Sequence, residues 1–195
     1  AEETGVALRL ERDAKFGFAY TTDLSPAALE RMALLAYNGA AVVQPHDPQK
    51  LPTSLAAIDS APWPEYDATL ADRPTAERVD CALKLEKTAK DYDPRIRQVR
   101  GATYQEDRVD VYLWNSQQGE RQYQRTRCEI QLMVMAAEGE SQESAWEMDF
   151  TPFFAQIDPA PIAEKVAADA VGMLHAKTLA TGRYPAILDR GVVAS

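Results

Sequence analysis

The sequence predicts an α+β fold: mostly antiparallel sheet, with about three helices packed on one face. Three observations point to it. Segments of alternating apolar and polar residues recur along the chain, short turns join them, and three stretches of helical periodicity are set among them. The chain has 195 residues, 46% hydrophobic and 26% charged, enough to bury a core without disulfides or metal. That apolar share excludes disorder as the main state. The longest apolar stretches, such as Leu132 to Ala137, fall far short of the ~20 residues a membrane-spanning helix needs.

The elements follow in order. Val6, Leu8 and Leu10 alternate with Ala7 and Arg9, and Phe16, Phe18 and Tyr20 alternate with Gly17 and Ala19. With the charged turn Glu11 to Lys15 between them, they read as a hairpin, Gly17 allowing close approach of a neighbouring backbone. Ser25-Pro26 starts the first helix, since Ser accepts a free N–H and Pro has none to leave unpaired. Leu29, Met32, Ala33, Ala36, Tyr37, Ala40 and Val43 form its apolar face, with Gly39 a weak point near its end. Between Gln44 and Arg73, Pro45, Pro48, Pro52, Pro62 and Pro64 predict a long loop anchored by Ile58, Trp63 and Tyr66.

Pro74 opens a second helix to about Tyr92, with Val79, Ala82, Leu83 and Ala89 buried and Asp80–Lys84 and Glu86–Lys90 paired four apart. Asp93-Pro94 ends it. Val109, Val111 and Leu113 then alternate, Asn115 to Gly119 turns, and Cys128, Ile130, Leu132, Val134 and Ala136 form the apolar row of a long strand. Arg127, Glu129 and Gln131 lie on its other face. After the turn at Glu138-Gly139-Glu140, Trp146, Met148 and Phe150 alternate and read as core. Together these strands predict an antiparallel meander. Asp158-Pro159 repeats the earlier start signal for a third helix, with Ile162, Val166, Ala170, Met173 and Leu174 on one face. Tyr184 to Leu188 reads as one more strand. The repeated order of strand pair, cap, Pro and Ala-rich helix is either an internal duplication or a shared cap chemistry.

Chemistry-bearing residues are sparse. Lys plus Arg is 21 and Asp plus Glu is 30, a net charge of −9, which argues against phosphate-directed binding of nucleic acid. Arg95, Arg97 and Arg100 do not share one face. The two histidines, His46 in the Pro-rich loop and His175 at the end of the third helix, stand alone. Cys81 and Cys128 fall in a helix and a strand pattern and are expected as reduced, partly buried thiols. No HExxH or CxxC pair, Gly-rich phosphate loop or GxSxG elbow occurs. The carboxylate pairs Asp107/Asp110 and Glu147/Asp149 read as solvated strand faces. Tyr112 and Trp114 lie opposite the aliphatic row of their strand. They are covered either by other parts of the chain or by a partner, and so are the candidate interface.

Four blocks in series resemble the TldD/PmbA family: Gly5-Val6-Ala7-Leu8-Arg9 followed by Phe16-Gly17-Phe18-Ala19-Tyr20-Thr21-Thr22-Asp23-Leu24-Ser25; Ala82 to Lys87 with Asp93-Pro94-Arg95-Ile96; Asn115 to Gly119, one residue longer than the family turn; and Gly182 to Asp189. The second and third lean toward the PmbA (TldE) branch. The resemblance implies a cytoplasmic metallopeptidase system for peptide maturation and proteolysis, also described as a modulator of DNA gyrase. It implies dimers, either of like subunits or of TldD with TldE. The family's zinc site, an HExxxH helix and a later Cys, belongs to the C-terminal domain of the TldD branch. Nothing here matches it, so no catalytic or metal residue is carried over and no cofactor is expected in this chain. Zinc is expected only in a TldD-type C-terminal domain or partner.

The family's opening helix and strand before Gly5, and its domain after Leu188, have no counterpart here. The expectation is therefore an N-terminal α+β domain over residues 1–178, with residues 179–195 as the first strand of a truncated C-terminal domain. Its role would be to support dimer assembly and the substrate chamber of a PmbA/TldE-like subunit, without a catalytic site. Expected partners are a second copy or a TldD-like subunit, and an unfolded peptide, with no direct contact to nucleic acid or membrane. The alternative is a stand-alone protein- or peptide-binding module unrelated to proteolysis.

Overall fold

The computed structural model describes residues 2–45, 65–117 and 119–188. His46, Ile58 and Trp63 lie outside them. The described residues form three α-helices and two antiparallel sheets of two and three strands, the α+β class expected. The chain divides into two units, residues 1–55 with 114–119 and residues 56–113 with 120–195.

In the first unit, β1 (Val6–Arg12) and β2 (Lys15–Thr21) pair antiparallel, Arg12 opposite Lys15. The two linking residues, Asp13 and Ala14, both have positive φ, 53° and 55°. This is the turn that matches strand twist, built here without the usual glycine. Helix α1 (Pro26–Val42) begins at the Ser25 cap, whose hydroxyl accepts the Ala28 N–H at 3.4 Å. Its buried stripe is Ala28, Met32, Ala36 and Ala40. Leu29 and Tyr37 fall to its margins. Small residues line the contact because α1 lies directly on Gly17: a Cβ there would come within 1.8 Å of the Ala36 carbonyl oxygen.

In the second unit, β3 (Ile96–Trp114, whose last residue is counted with the first unit), β4 (Glu120–Glu138) and β5 (Ser141–Thr151) form a sheet in that order. Gly139, at φ 58°, occupies the first position of the β4–β5 turn, in the left-handed region that glycine enters without strain. Helices α2 (Thr75–Tyr92) and α3 (Pro159–Gly172) pack against each other. Alpha3 covers β4 and β5, and Asp158 caps it by accepting the Ala160 N–H at 3.1 Å. The expected row of Cys128, Ile130, Leu132, Val134 and Ala136 is wholly buried beneath the helices.

Several expectations need correction. Trp146, Met148 and Phe150 are not core. Ala145 lies opposite the buried Val134, so β5 turns its odd-numbered row to the helices, and Trp146, opposite Met133, faces outward and is 58% exposed. Helix α2 buries Cys81, Leu85 and Ala89, while Val79 and Leu83 are exposed. Met173 lies past the end of α3 and is exposed. Strand β3 begins at Ile96, well before Val109. Its half-buried side chains change parity at Gly101–Ala102 and again between Glu106 and Val109, which hides the period of two. Within the Pro-rich stretch, Leu70–Asp72 forms a 3₁₀ turn that buries Leu70. Tyr184 to Leu188 forms no strand, because no described segment supplies it with a hydrogen-bonding partner.

The glycines of the first unit give a paired test. Gly17→Ala should lower the unfolding free energy by about 1–3 kcal/mol through overpacking against α1. Gly39→Ala, in the same helix with nothing within 4 Å of the new Cβ, should raise it by about 0.5–1 kcal/mol. Chemical denaturation of the two variants beside the parent reads both signs.

Candidate interaction surface

The reactive side chains do not converge. Cys81 and Cys128 are free and buried, and burial raises both thiols, leaving little thiolate to act as nucleophile. His175 stands in the left-handed region at φ 58°. Its N–H donates to Ser141 Oγ at 3.0 Å, and its ring Nε2 lies 3.0 Å from Glu138 Oε2. Among the described residues, no three His, Cys, Asp or Glu side chains are grouped so as to hold a metal ion. The Asp93 carboxyl is held down to about 2, first by the Arg95 side chain and then by the Arg95 N–H.

The polar residues do converge at one buried joint that the sequence did not reveal. Asp67 is 7% exposed. Its carboxylate accepts from Thr69 N–H at 2.9 Å, Thr69 Oγ1–H at 2.7 Å and Phe154 N–H at 3.1 Å. Its own N–H donates to Thr126 Oγ1 at 2.8 Å, and that hydroxyl donates to the Pro152 carbonyl at 2.8 Å. One carboxylate and one hydroxyl thus tie three chain segments together. Hydrogen bonding to the Thr69 side chain is the chief cause that lowers the Asp67 pKa.

Beside this joint, Arg78 on α2 grips Glu106 on β3 through Nε at 3.0 Å and Nη2 at 2.8 Å. The same guanidinium donates to the carbonyls of Arg73 at 2.6 Å and Leu70 at 2.8 Å. Tyr104 donates to Glu106 at 2.7 Å and packs edge-on to Phe154, and burial first, then its hydrogen bonds, raises its pKa. A two-pronged arginine–carboxylate pair fixes orientation as well as energy. The Asp67 carboxylate, the Thr126 hydroxyl and the Arg78–Glu106 pair are all engaged by the fold, so the joint is architectural. Tyr66, an expected anchor, stacks beneath Arg108 at 5.5 Å.

What remains for recognition is surface. Tyr112 is 51% and Trp114 67% exposed, on alternate positions of β3. The Tyr112 hydroxyl accepts from Gln122 Nε2 at 2.8 Å, which fixes the ring. Beta5 reaches only to Cys128, so residues 120–127 of β4 have β3 alone as their neighbour in the sheet. A second exposed group lies on the outer sheet face, where Trp146 stands opposite Met133, and Phe150, 58% exposed, lies under Arg127 at 4.5 Å. Large aromatics with little rotameric entropy to lose are the residues that anchor protein interfaces. The sequence pointed to the first group. It missed the second because a W-x-M-x-F row looks like core when the register is unknown. Of the carboxylate pairs, Asp110 is engaged by Gln124 and Arg108, and Glu147 by Lys165.

A family model described as PmbA/TldA metallopeptidase central domain matches residues 68–174, which hold all the helices and strands of the second unit. Among solved structures, a proposed modulator of a DNA gyrase from Thermotoga maritima MSB8 is similar at 18% identity, TM-score 0.67, over 93% of this chain and 40% of that one. Another, from Bacteroides thetaiotaomicron VPI-5482, matches at 20% identity, TM-score 0.72, over 94% and 43%. TldE from Thermococcus kodakarensis matches at 16% identity, TM-score 0.66, over 84% and 36%. At these identities the structures share the fold, and the chain spans about two-fifths of their length. No curated protein matches the chain.

The buried joint is tested by Asp67→Asn, which leaves a partner N–H facing an amide group. It should cost about 1–3 kcal/mol at neutral pH. Because the folded pKa is lowered, the carboxylate stabilises above its unfolded pKa of about 3.9 and loses that effect as pH falls through the folded value. The gap between parent and variant, followed by urea melts, should therefore be widest near neutral pH and shrink below about pH 4.

Proposed function

The chain belongs to the PmbA/TldD metallopeptidase family, and from that premise we propose that it is a non-catalytic domain of a PmbA/TldE-like subunit. On this reading it supports assembly of a dimer, with a second copy or a TldD-like partner, and helps wall the chamber that receives an unfolded peptide in the cytoplasm. The zinc and the peptide-bond chemistry reside in a TldD-type C-terminal domain or partner. The reading assigns the chain no direct contact with nucleic acid, in keeping with its net charge of −9, and none with membrane.

The observation that carries it is the exposure of two large aromatic residues of β3, Tyr112 at 51% with its hydroxyl held by Gln122, and Trp114 at 67%. An exposed Tyr–Trp pair costs solvation unless a partner covers it, and such pairs are where binding energy concentrates.

Trp114→Ala and Tyr112→Ala test the reading together. Each should weaken association with the partner subunit by tenfold or more, about 1.4 kcal/mol, while the melting temperature of the separate chain barely moves. Sedimentation against concentration and a thermal melt read the two effects. Unchanged assembly with a lowered melting temperature would give both rings a role in holding the fold rather than a partner, and remove the proposal.

A further inference from the structure

The free edge of β5 deals with its own amides in a way that bears on recognition. In an antiparallel pair, alternate residues turn N–H and C=O toward the partner strand and the rest turn away. Met148 lies opposite Gln131, and Phe150 opposite Glu129. The Met148 N–H donates to Glu147 Oε1 at 3.2 Å and the Phe150 N–H to Asp149 Oδ1 at 3.0 Å, so both point away from β4. Among the described residues, no strand pairs with this side of β5. An open edge is a template for another strand, and charge placed on it is one way to keep it closed. Here the closure is specific: two carboxylates hold two of the outward amides, those of Met148 and Phe150.

Three further features indicate what opens it. Glu147 caps Met148 with one oxygen while its other, Oε2, receives Lys165 Nζ at 2.9 Å, so a carboxylate at this edge already binds an ammonium. The residues of β5 divide by face, with Glu143, Glu147 and Asp149 on one and Trp146, Met148 and Phe150 on the other. An open groove of about 490 Å³ runs beside the edge, lined by Ala145 and Trp146 of β5 and by Ala168, Asp169, Gly172 and Met173 from α3 and its end. Its small residues leave room for a long side chain, and Asp169 puts a carboxylate in its wall.

The geometry points to the free edge of β5 as a docking edge for an extended protein segment with Lys or Arg at alternate positions and apolar residues between them. As the segment pairs with β5, its carbonyls accept the N–H groups of Met148 and Phe150. Its basic side chains take up the Glu147 and Asp149 carboxylates so released. Each of the two amides exchanges one acceptor for another and each carboxylate exchanges an amide for a cation, so none of these four groups is left unpaired. The apolar residues lie against Trp146, Met148 and Phe150. An acidic strand is refused, and so is a second β5, whose carboxylates would face these across the new pair. The inference stands apart from the assembly reading, since Tyr112 and Trp114 lie on β3, the other edge strand.

The test adds a blocked hexapeptide of alternating lysine and valine to the full chain, with the glutamate–valine peptide as control. Hydrogen exchange at the Met148 and Phe150 amides is followed by NMR. The lysine peptide should slow both amides at least about tenfold in a saturable way, and the effect should weaken as ionic strength rises from about 0.05 to about 0.5 M. The glutamate peptide should slow neither. No slowing, or equal slowing by both peptides, overturns the proposal. The double variant Glu147→Gln, Asp149→Asn keeps the shape of the edge and should lose the lysine peptide by about tenfold or more. Lys165→Met removes the competing ammonium from Glu147 and Asp169 and should bind it more tightly. Unchanged affinity in either variant also overturns the proposal.

Discussion

One row of side chains carries the second unit. Cys128, Ile130, Leu132, Val134 and Ala136 lie on the inward face of β4, and each is wholly removed from solvent. Burial of this kind contributes on the order of 1.5–3 kcal/mol for each large aliphatic side chain. It requires two conditions at once. Beta4 must be central, so that β3 and β5 satisfy its backbone on both sides, and a helix must lie close above it. The second condition explains α3, whose face is made of Ile162, Ala163, Val166, Ala167 and Ala170. Alanines let the helix approach the strand, and the branched residues fill the remaining volume. The small residue Ala145 on β5 meets the same need, and this is why Trp146 must face outward.

With the row fixed, the remaining parts fall into place around it. The Asp67–Thr126 joint sits where the inward row of β4 passes out from under the helices, and it replaces apolar contact with fully satisfied hydrogen bonds. Arg78 reaches from α2 across to β3 and closes the flank. Beyond Cys128 the sheet narrows to β3 and β4 alone, and there Tyr112 and Trp114 emerge on the surface. At the opposite edge, the acidic residues of β5 cap their own amides. The buried centre is occupied with holding the fold, and the exposed Tyr112 and Trp114 and the acidic residues lie on the two edge strands.

How much of this the sequence disclosed depends on the range of the interaction. The row on β4 was legible because one strand contains all of it, in strict alternation. The two Ser-Pro and Asp-Pro helix starts were legible because a cap and its helix are neighbours in sequence. The face of α1 was read correctly at Met32, Ala36 and Ala40 and missed at Ala28, while α2 was read correctly only at Ala89, since Leu29, Val79 and Leu83 satisfy helical spacing as well as Ala28, Cys81 and Leu85 do. Only the partner decides between them, and close packing on Gly17 and β4 selected the smaller or better-placed set. The register of β5 was not legible, because alternation defines two rows without saying which is inside. Nor was the joint between Asp67 and Thr126: hydrogen bonds between residues far apart in the chain leave no periodic trace. The exposed pair Tyr112 and Trp114 was found as an anomaly, two large aromatics on the polar side of a strand.

The dependence of the second unit on β4 is open to direct measurement by native-state hydrogen exchange of the full chain over a range of low denaturant concentration. The amides of Ile130, Leu132 and Val134 should be the slowest in the unit, exchanging only through its complete unfolding, with a denaturant dependence equal to that of the equilibrium transition. Exchange of these amides through a smaller opening, while α2 and α3 stay protected, would contradict the account.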